Sequence, residues 1–352
     1  MRGWRGLAGA LLGVVCLLGL SALLIWLGGF SVGHALVALW GGSFGSWYAL
    51  TSSTLVRAVP LMLSGCAVAI AFRAGVFNIG AEGQLLLGAT FATGVGLIAP
   101  RGGPIAIFMA LIAGACGGAL WAGIAAVLRR RFGVLEVIST IMLNFIALNL
   151  VAYLVRGPFQ EPTHAYPQSS PLPDTLHLPR IPGMGRLHVG ILVAVAVLIG
   201  AGWLLRYSAA GFRIIAVGEN ASAARSAGLI DVERVTSRVF VASGAIAGLA
   251  GALQVLGVTF ALYEDLSPGY GYTAIAVALL AGLDAWMVIP SAVLFAALES
   301  GGSAMQRDAN VPSTLVAIVE AVLILTALWL QRDGRWARAR ALRRVVSPRA
   351  ES

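Results

Sequence analysis

The sequence predicts an all-α polytopic membrane protein of about ten transmembrane helices, with re-entrant or broken segments and both termini in the cytoplasm. Three observations lead there. Of 352 residues, 59% are hydrophobic and 11% charged, with a mean hydropathy of +0.87, which is more apolar surface than a soluble domain of this size can hide. All 24 basic residues are arginine, and they collect in short inter-span loops and at the chain ends, the distribution that sets membrane topology. Between two apolar runs lies a polar, glycine-broken patch, residues 72–84, which hydrocarbon tolerates only where protein or a wet cavity satisfies its backbone.

Residues 7–29 form an apolar run behind Arg2 and Arg5, too long for a signal-peptide core and without a small-x-small cleavage site, so it reads as a retained first span. Residues 30–48 carry Trp40 and Trp47 among glycines and read as an interfacial helix on the outer surface, with a second span as the alternative. Further spans follow at 54–72, 81–99, 105–128 and 134–155. A long outer loop, 156–186, holds seven prolines and little periodicity, so it should be ordered but irregular. Span six covers 187–205, an inner loop runs over 206–238, and span seven reaches residue 257. Residues 258–271 form an outer, partly re-entrant segment, and shorter runs at 272–283, 289–304 and 312–330 complete the set.

Under that arrangement 18 arginines lie inside and six outside. The positive-inside bias therefore favours it, and Trp203, Trp286 and Trp329 fall near inner ends as an aromatic belt would. The same tally treats the +9 formal charge as topogenic and sets nucleic acid aside. Lysine is absent from the sequence, which removes a Walker-type phosphate site and Schiff-base chemistry. No cofactor is indicated: Cys16, Cys66 and Cys116 each stand alone in apolar runs, and the four histidines have no metal spacing. Without a nucleophile and base, metal cluster or phosphate cradle, a membrane enzyme has no support. Energy from ATP would have to come from a partner.

In the inner loop, Asn220 is suited to cap a short alanine-rich helix that stops at Gly228. So short a helix needs support from the spans or from something docked on it; an ordinary linker is the other reading. The pattern Ala223-Ala224-x-x-x-Gly228 resembles the Ala-Ala-x-x-x-Gly element by which importer permeases of the ABC class contact their ATPase subunits, with Ser222 where a Glu usually leads. Ala74-Gly-Val-Phe-Asn-Ile-Gly-Ala-Glu-Gly-Gln84 is similar to the signature of the nucleoside and simple-sugar branch of these permeases, related to branched-chain amino acid permeases. Residues 136–144, 211–228 and 269–282 fit the same branch.

The resemblance implies a single transmembrane permease domain over 1–330 with a basic cytoplasmic tail, 331–352. It also implies a multi-pass subunit of the bacterial inner membrane, partnered by cytoplasmic ATP-binding subunits, a second permease (identical or homologous) and an extracytoplasmic substrate-binding protein, often a lipoprotein. The coupling residues it implies are Gly218, Glu219, Asn220, Ala223, Ala224, Arg225 and Gly228.

Paired breaks half a chain apart are the pattern of an inverted repeat, and Ser267-Pro268-Gly269-Tyr270-Gly271-Tyr272 is the counterpart of the first patch. Both are expected on the translocation path. A nucleoside or sugar offers hydroxyls and ring nitrogens. Asn78, Glu82, Gln84 and Asn144 can meet these, and Phe77, Tyr270 and Tyr272 can offer rings. Each has a structural alternative: Asn78 and Glu82 as helix-end partners, Gln84 and the aromatics as packing, Asn144 and Asn149 as interhelical hydrogen bonds. Glu136 is expected to pair with Arg129 to Arg131. Glu299 and Glu320 fall in late spans, where an ionisable group is expensive. Pairing with an arginine or with backbone is the favoured reading of both, and as functional groups they would lend weight to an ion-coupled secondary transporter as the rival class. A pentose or a branched-chain amino acid is the rival cargo.

Overall fold

The computed structural model describes residues 19–98, 103–228 and 230–319, together with 321, 322 and 325. Most of the first predicted span, the end of the last, the basic tail, Cys16, Arg101 and Glu320 lie outside these residues. The described chain is helical, without a named strand. Seven of its helices are long and apolar enough to cross a membrane, or eight if one bent pair counts as a span.

Two compact units are distinguished, residues 1–49 with 297–352, and residues 50–296. In the first, α1 (Gly19–Leu27) and α2 (Val32–Ser43) meet at 120°. Ser31 caps α2, its hydroxyl accepting from the His34 amide. Ile25, Ala35, Ala38, Met305, Val311, Val316 and Val319 make this unit's apolar core, while Trp40 stays exposed.

The second unit holds α3 (Trp47–Arg73), α4 (Ala81–Ile98), α5 (Pro104–Phe132), α6 (Glu136–Val155), α7 (Gly190–Tyr207) and α10 (Val232–Thr259) as its long helices. α3 begins earlier than the predicted residue 54 because Leu50–Thr54 continues the helix as a π turn, so the Ser52-Ser53-Thr54 run does not break it. α5 closes on three arginines and stops at Gly133 with φ +65°, cations at a helix C-terminus followed by a left-handed glycine. The expected ion pair is present, Arg129 Nε lying 3.6 Å from Glu136. The loop 206–238 holds more helix than its sequence predicts: α8 (Ala209–Glu219) precedes the short α9 (Ala221–Ser226). α11 (Tyr270–Leu280) has 11 residues, or roughly 16 Å at 1.5 Å per residue, too short to cross the hydrocarbon alone. α12 (Val288–Asp308) follows.

The centre of this unit is made by α4, α5 and α10, which approach at backbone distance. A Cβ on Gly88 would stand 2.1 Å from the Gly248 carbonyl oxygen, and one on Gly118 would stand 2.2 Å from that of Gly244. The spacings Gly114-x-x-x-Gly118 and Gly244-x-x-x-Gly248 are the small-residue ridges by which helices pack in lipid, where no hydrophobic force favours one apolar contact over another. The long loop 156–186 is ordered and irregular as predicted: the amides of Ser169, Leu172 and Leu178 donate to the carbonyls of Leu262, Phe260 and Leu256, laying it along the C-terminal end of α10.

Candidate functional site

The first break is built from the end of α3. Ala74 closes the helix, Gly75 turns the chain at φ +70°, and residues 76–79 run without helix until α4 begins at Ala81. Such a segment leaves amides and carbonyls that lipid cannot satisfy. Side chains take them up. Asn78 Oδ1 accepts from the Gly80 amide (2.9 Å) and from Gln84 Nε2 (3.0 Å), while its Nδ2 donates to Gln84 Oε1 (3.0 Å) and to the Ser243 hydroxyl (2.9 Å). The Ser243 hydroxyl in turn donates to the Ala67 carbonyl (2.8 Å), linking the break to α10 and back to α3. Asn144 on α6 holds the other side, its Oδ1 accepting from the Gly83 amide and its Nδ2 donating to the Ile79 carbonyl, both at 2.9 Å. Asn78, Glu82, Gln84 and Asn144 are all buried.

The second break meets the first. Glu82 Oε2 accepts from the Gly271 amide at 2.6 Å and bonds the Ser267 side chain. A carboxylate thus sits at the N-terminal end of α11, where exposed amides and the helix dipole favour negative charge. The Ser267 hydroxyl also accepts from the amides of Gly269 and Tyr270. Contact is at backbone distance, since a Cβ on Gly271 would lie 2.1 Å from the Glu82 nitrogen. Tyr270 is buried, whereas Phe77 is 52% and Tyr272 41% exposed. Among the seven predicted path residues, those two therefore present ring surface, and the Phe77 ring meets Phe72 edge-on at 5.3 Å.

At the α3 end the break touches the loop 206–238. A Cβ on Gly218 would fall 1.9 Å from the Arg73 carbonyl oxygen, so α8 rests on the last turn of α3. Asn220 closes α8 and caps α9, its Oδ1 accepting from the Ala223 amide at 2.9 Å, as the sequence predicts. Gly228 has φ +71° with open space around it. Glu219, Asn220, Ala223 and Arg225 are exposed and Ala224 is buried in a small cluster with Val217 and Val232. Arg225 pairs with Glu233 at 3.1 Å. The connection from α11 to α12 is tied to the same end. Arg73 Nε donates to the Leu283 carbonyl (3.0 Å), Arg206 bonds Asp284, and the Arg206 guanidinium lies 4.2 Å over the Trp286 ring.

Residues outside the predicted set complete the site. Ser243, Ser267 and Thr140, which packs on Gly80, are short hydroxyl residues that periodicity does not mark. Trp121 Nε1 donates to the Leu143 carbonyl (3.2 Å) beside Asn144. Asn149 departs from its expected interhelical role, bonding back to the Phe145 carbonyl of its own helix, because its face of α6 is exposed.

The family described as branched-chain amino acid transport system / permease component matches residues 50–328. The chain is 39% identical over 319 residues to a guanosine ABC transporter permease protein of Bacillus subtilis, covering 90% of this chain and 91% of that protein. It is 39% identical over 290 residues to a glucose ABC transporter permease protein of Haloferax volcanii, covering 80% and 76%. It is 30% identical over 282 residues to a nucleoside ABC transporter permease protein of Lactococcus lactis, covering 77% of each.

Proposed function

We propose that this chain, which belongs to the branched-chain amino acid transport system / permease component family, passes a nucleoside or a related simple sugar along a path bounded by the junction of its two broken segments. It is a permease subunit of an ABC importer and a multi-pass protein of the bacterial cytoplasmic (inner) membrane. Its part in the machine is transport, with ATP hydrolysed by partner subunits. The observation that carries the proposal is the contact of both breaks at Glu82 and Gly271, with α8 pressed on the inner end of the first at Gly218.

In this reading the path residues divide their work. Asn78, Glu82, Gln84, Asn144 and Tyr270 hold the two segments in register, while Phe77 and Tyr272 give rings against which a base or sugar face can stack. The helix pair α8 and α9 is the handle for the ATPase, reached through Gly218, Glu219, Asn220, Ala223, Ala224, Arg225 and Gly228. Ten spans, cytoplasmic termini and an inverted repeat follow from the arginine asymmetry and the paired breaks. The working assembly contains two permeases, two ATP-binding subunits and an extracytoplasmic binding protein.

The test is uptake into proteoliposomes that hold the permease with its ATPase and binding protein. ATP-dependent accumulation of labelled guanosine is expected, and uptake driven by an ion gradient without the ATPase would overturn the proposal. Sugar remains the second reading because the Haloferax volcanii glucose permease is as similar in identity as the guanosine permease. Competition of guanosine by excess glucose in the same vesicles decides between them.

A further inference from the structure

A groove of about 360 Å³ opens between α3, α7, α8 and α10, away from the junction of the breaks. Its walls are apolar, among them Ile70, Val197, Ala201, Leu204, Val239 and Ile246, and its two polar side chains are Arg213 and Arg238. Both arginines are exposed. Other arginines on neighbouring elements are paired: Arg206 with Asp284, Arg225 with Glu233 and Arg234 with Asp231. Among the described residues Arg213 and Arg238 have no carboxylate partner, although both lie within reach of one groove.

We infer that this groove is a binding site for an anionic phospholipid of the inner leaflet, its phosphate held by Arg213 and Arg238 and its acyl chain laid along α7 and α10. The inference goes beyond the transport role and shares with it only the placement of these arginines at the cytoplasmic side. Charge and shape select the occupant. A nucleoside or sugar needs hydrogen-bond acceptors and donors along its length, and this groove gives two cations and hydrocarbon. An anionic lipid matches both parts, because its headgroup is a phosphate that arginine can fork and its tail is the partner apolar walls lack. The groove runs along the last three turns of α7 and the first two turns of α8, and its arginines lie at its α8 end, the headgroup depth of the inner leaflet, where anionic lipid and arginine attract by roughly a factor of five to six in affinity per charge.

Native mass spectrometry of the delipidated full-length permease tests it, with phosphatidylglycerol and phosphatidylcholine of identical acyl chains as probes. The wild type is expected to retain one phosphatidylglycerol per chain in preference to phosphatidylcholine. The double variant R213Q/R238Q should lose that preference, weakening phosphatidylglycerol retention by about 30-fold with phosphatidylcholine unchanged. Because a Cβ on Gly200 meets open space, G200W should fit without moving the backbone and fill the groove. It is expected to displace the lipid with both arginines intact, its unfolding temperature held at the wild-type value. An unchanged lipid ratio in R213Q/R238Q, or a lipid retained by G200W, would overturn the inference. So would displacement by millimolar inorganic phosphate, which points to a bare anion site. A G200W variant that alters only the oligomeric state would give the groove to a second copy. The probe lipids are added to solubilised protein, so these results do not depend on orientation or on cargo.

Discussion

Asn144 and Asn78 illustrate how little polar material holds an irregular backbone inside a membrane. Asn78 binds the Gly80 amide together with the Gln84 and Ser243 side chains, and Asn144 binds two backbone groups that lipid would leave orphaned, the Gly83 amide and the Ile79 carbonyl. Replacing it with alanine removes both partners at once and opens no path for water to replace them. Asn144→Ala should therefore destabilise the protein by roughly 1–3 kcal/mol for each orphaned group, read as a lower midpoint in detergent thermal unfolding. A wild-type midpoint would show that the break is satisfied elsewhere. Gly248 tests the opposite resource, the absence of a side chain. Its Cβ would come 2.3 Å from the Gly114 carbonyl oxygen, backbone that cannot rotate away, so Gly248→Leu should prevent folding where an Ala-sized substitution at the open Gly200 has no effect. Expression with a fluorescence-detected monodispersity profile distinguishes the two. Polar residues of the breaks were legible in the sequence because charge and amide are conspicuous among apolar runs. Ser243 was not: a serine in a glycine- and alanine-rich helix resembles its neighbours until the partner is known, and Ser267, although it belongs to the second predicted patch, takes its role only from its bond to Glu82.

At the scale of elements, periodicity located the long helices and failed where helix geometry itself changes. The π turn at Leu50–Thr54 and the π end of α10 at Val255–Thr259 carry the chain through serine, threonine and glycine that local propensity reads as boundaries. α8 was hidden for another reason. It is amphipathic and lies against the last turns of α3 and α7, so neither a spanning run nor a loop composition betrays it. The proposed role of α8 and α9 as the ATPase handle gives a specific expectation for Gly228. That residue holds φ +71° with nothing near its Cβ, so Gly228→Val adds backbone strain of roughly 1–2 kcal/mol without a clash. Membrane insertion and thermal midpoint of the spans should stay near wild type, while co-purification of the ATPase and ATP-driven uptake fall. Gly228→Asn, which tolerates the left-handed region, should recover most of the loss. Equal uptake in all three proteins would separate this helix end from coupling.

For the whole molecule, the arginines that the proposed topology places inside also fasten one end of the helices. The connection from α11 to α12 has no helix of its own to stabilise it, and Leu283 adopts φ +60°. Three contacts fix it: Arg73 to the Leu283 carbonyl, Arg206 to Asp284, and the Arg206 guanidinium on the Trp286 ring. Burial alone would raise the Asp284 carboxyl, but hydrogen bonds from Arg206 and from the backbone of Trp286 and Met287, with the Arg206 charge, hold it below the usual aspartate range. A carboxyl depressed on folding contributes stability above its unfolded pKa, near 3.9, and loses it as pH falls through the lower folded value. Both partners keep some solvent exposure, which limits the pair to about 1 kcal/mol. Asp284→Asn should thus lower the unfolding midpoint by a constant amount at neutral pH, and the difference from wild type should shrink as pH falls below the unfolded value and through the lowered folded one. Arg206→Gln should cost more, since it takes away the cation–π contact with Trp286 as well as the ion pair. A double-mutant cycle checks the attribution: coupling between positions 206 and 284 must appear at pH 7 and disappear in acid, and a coupling that ignores pH would assign the clamp to packing on Trp286 alone.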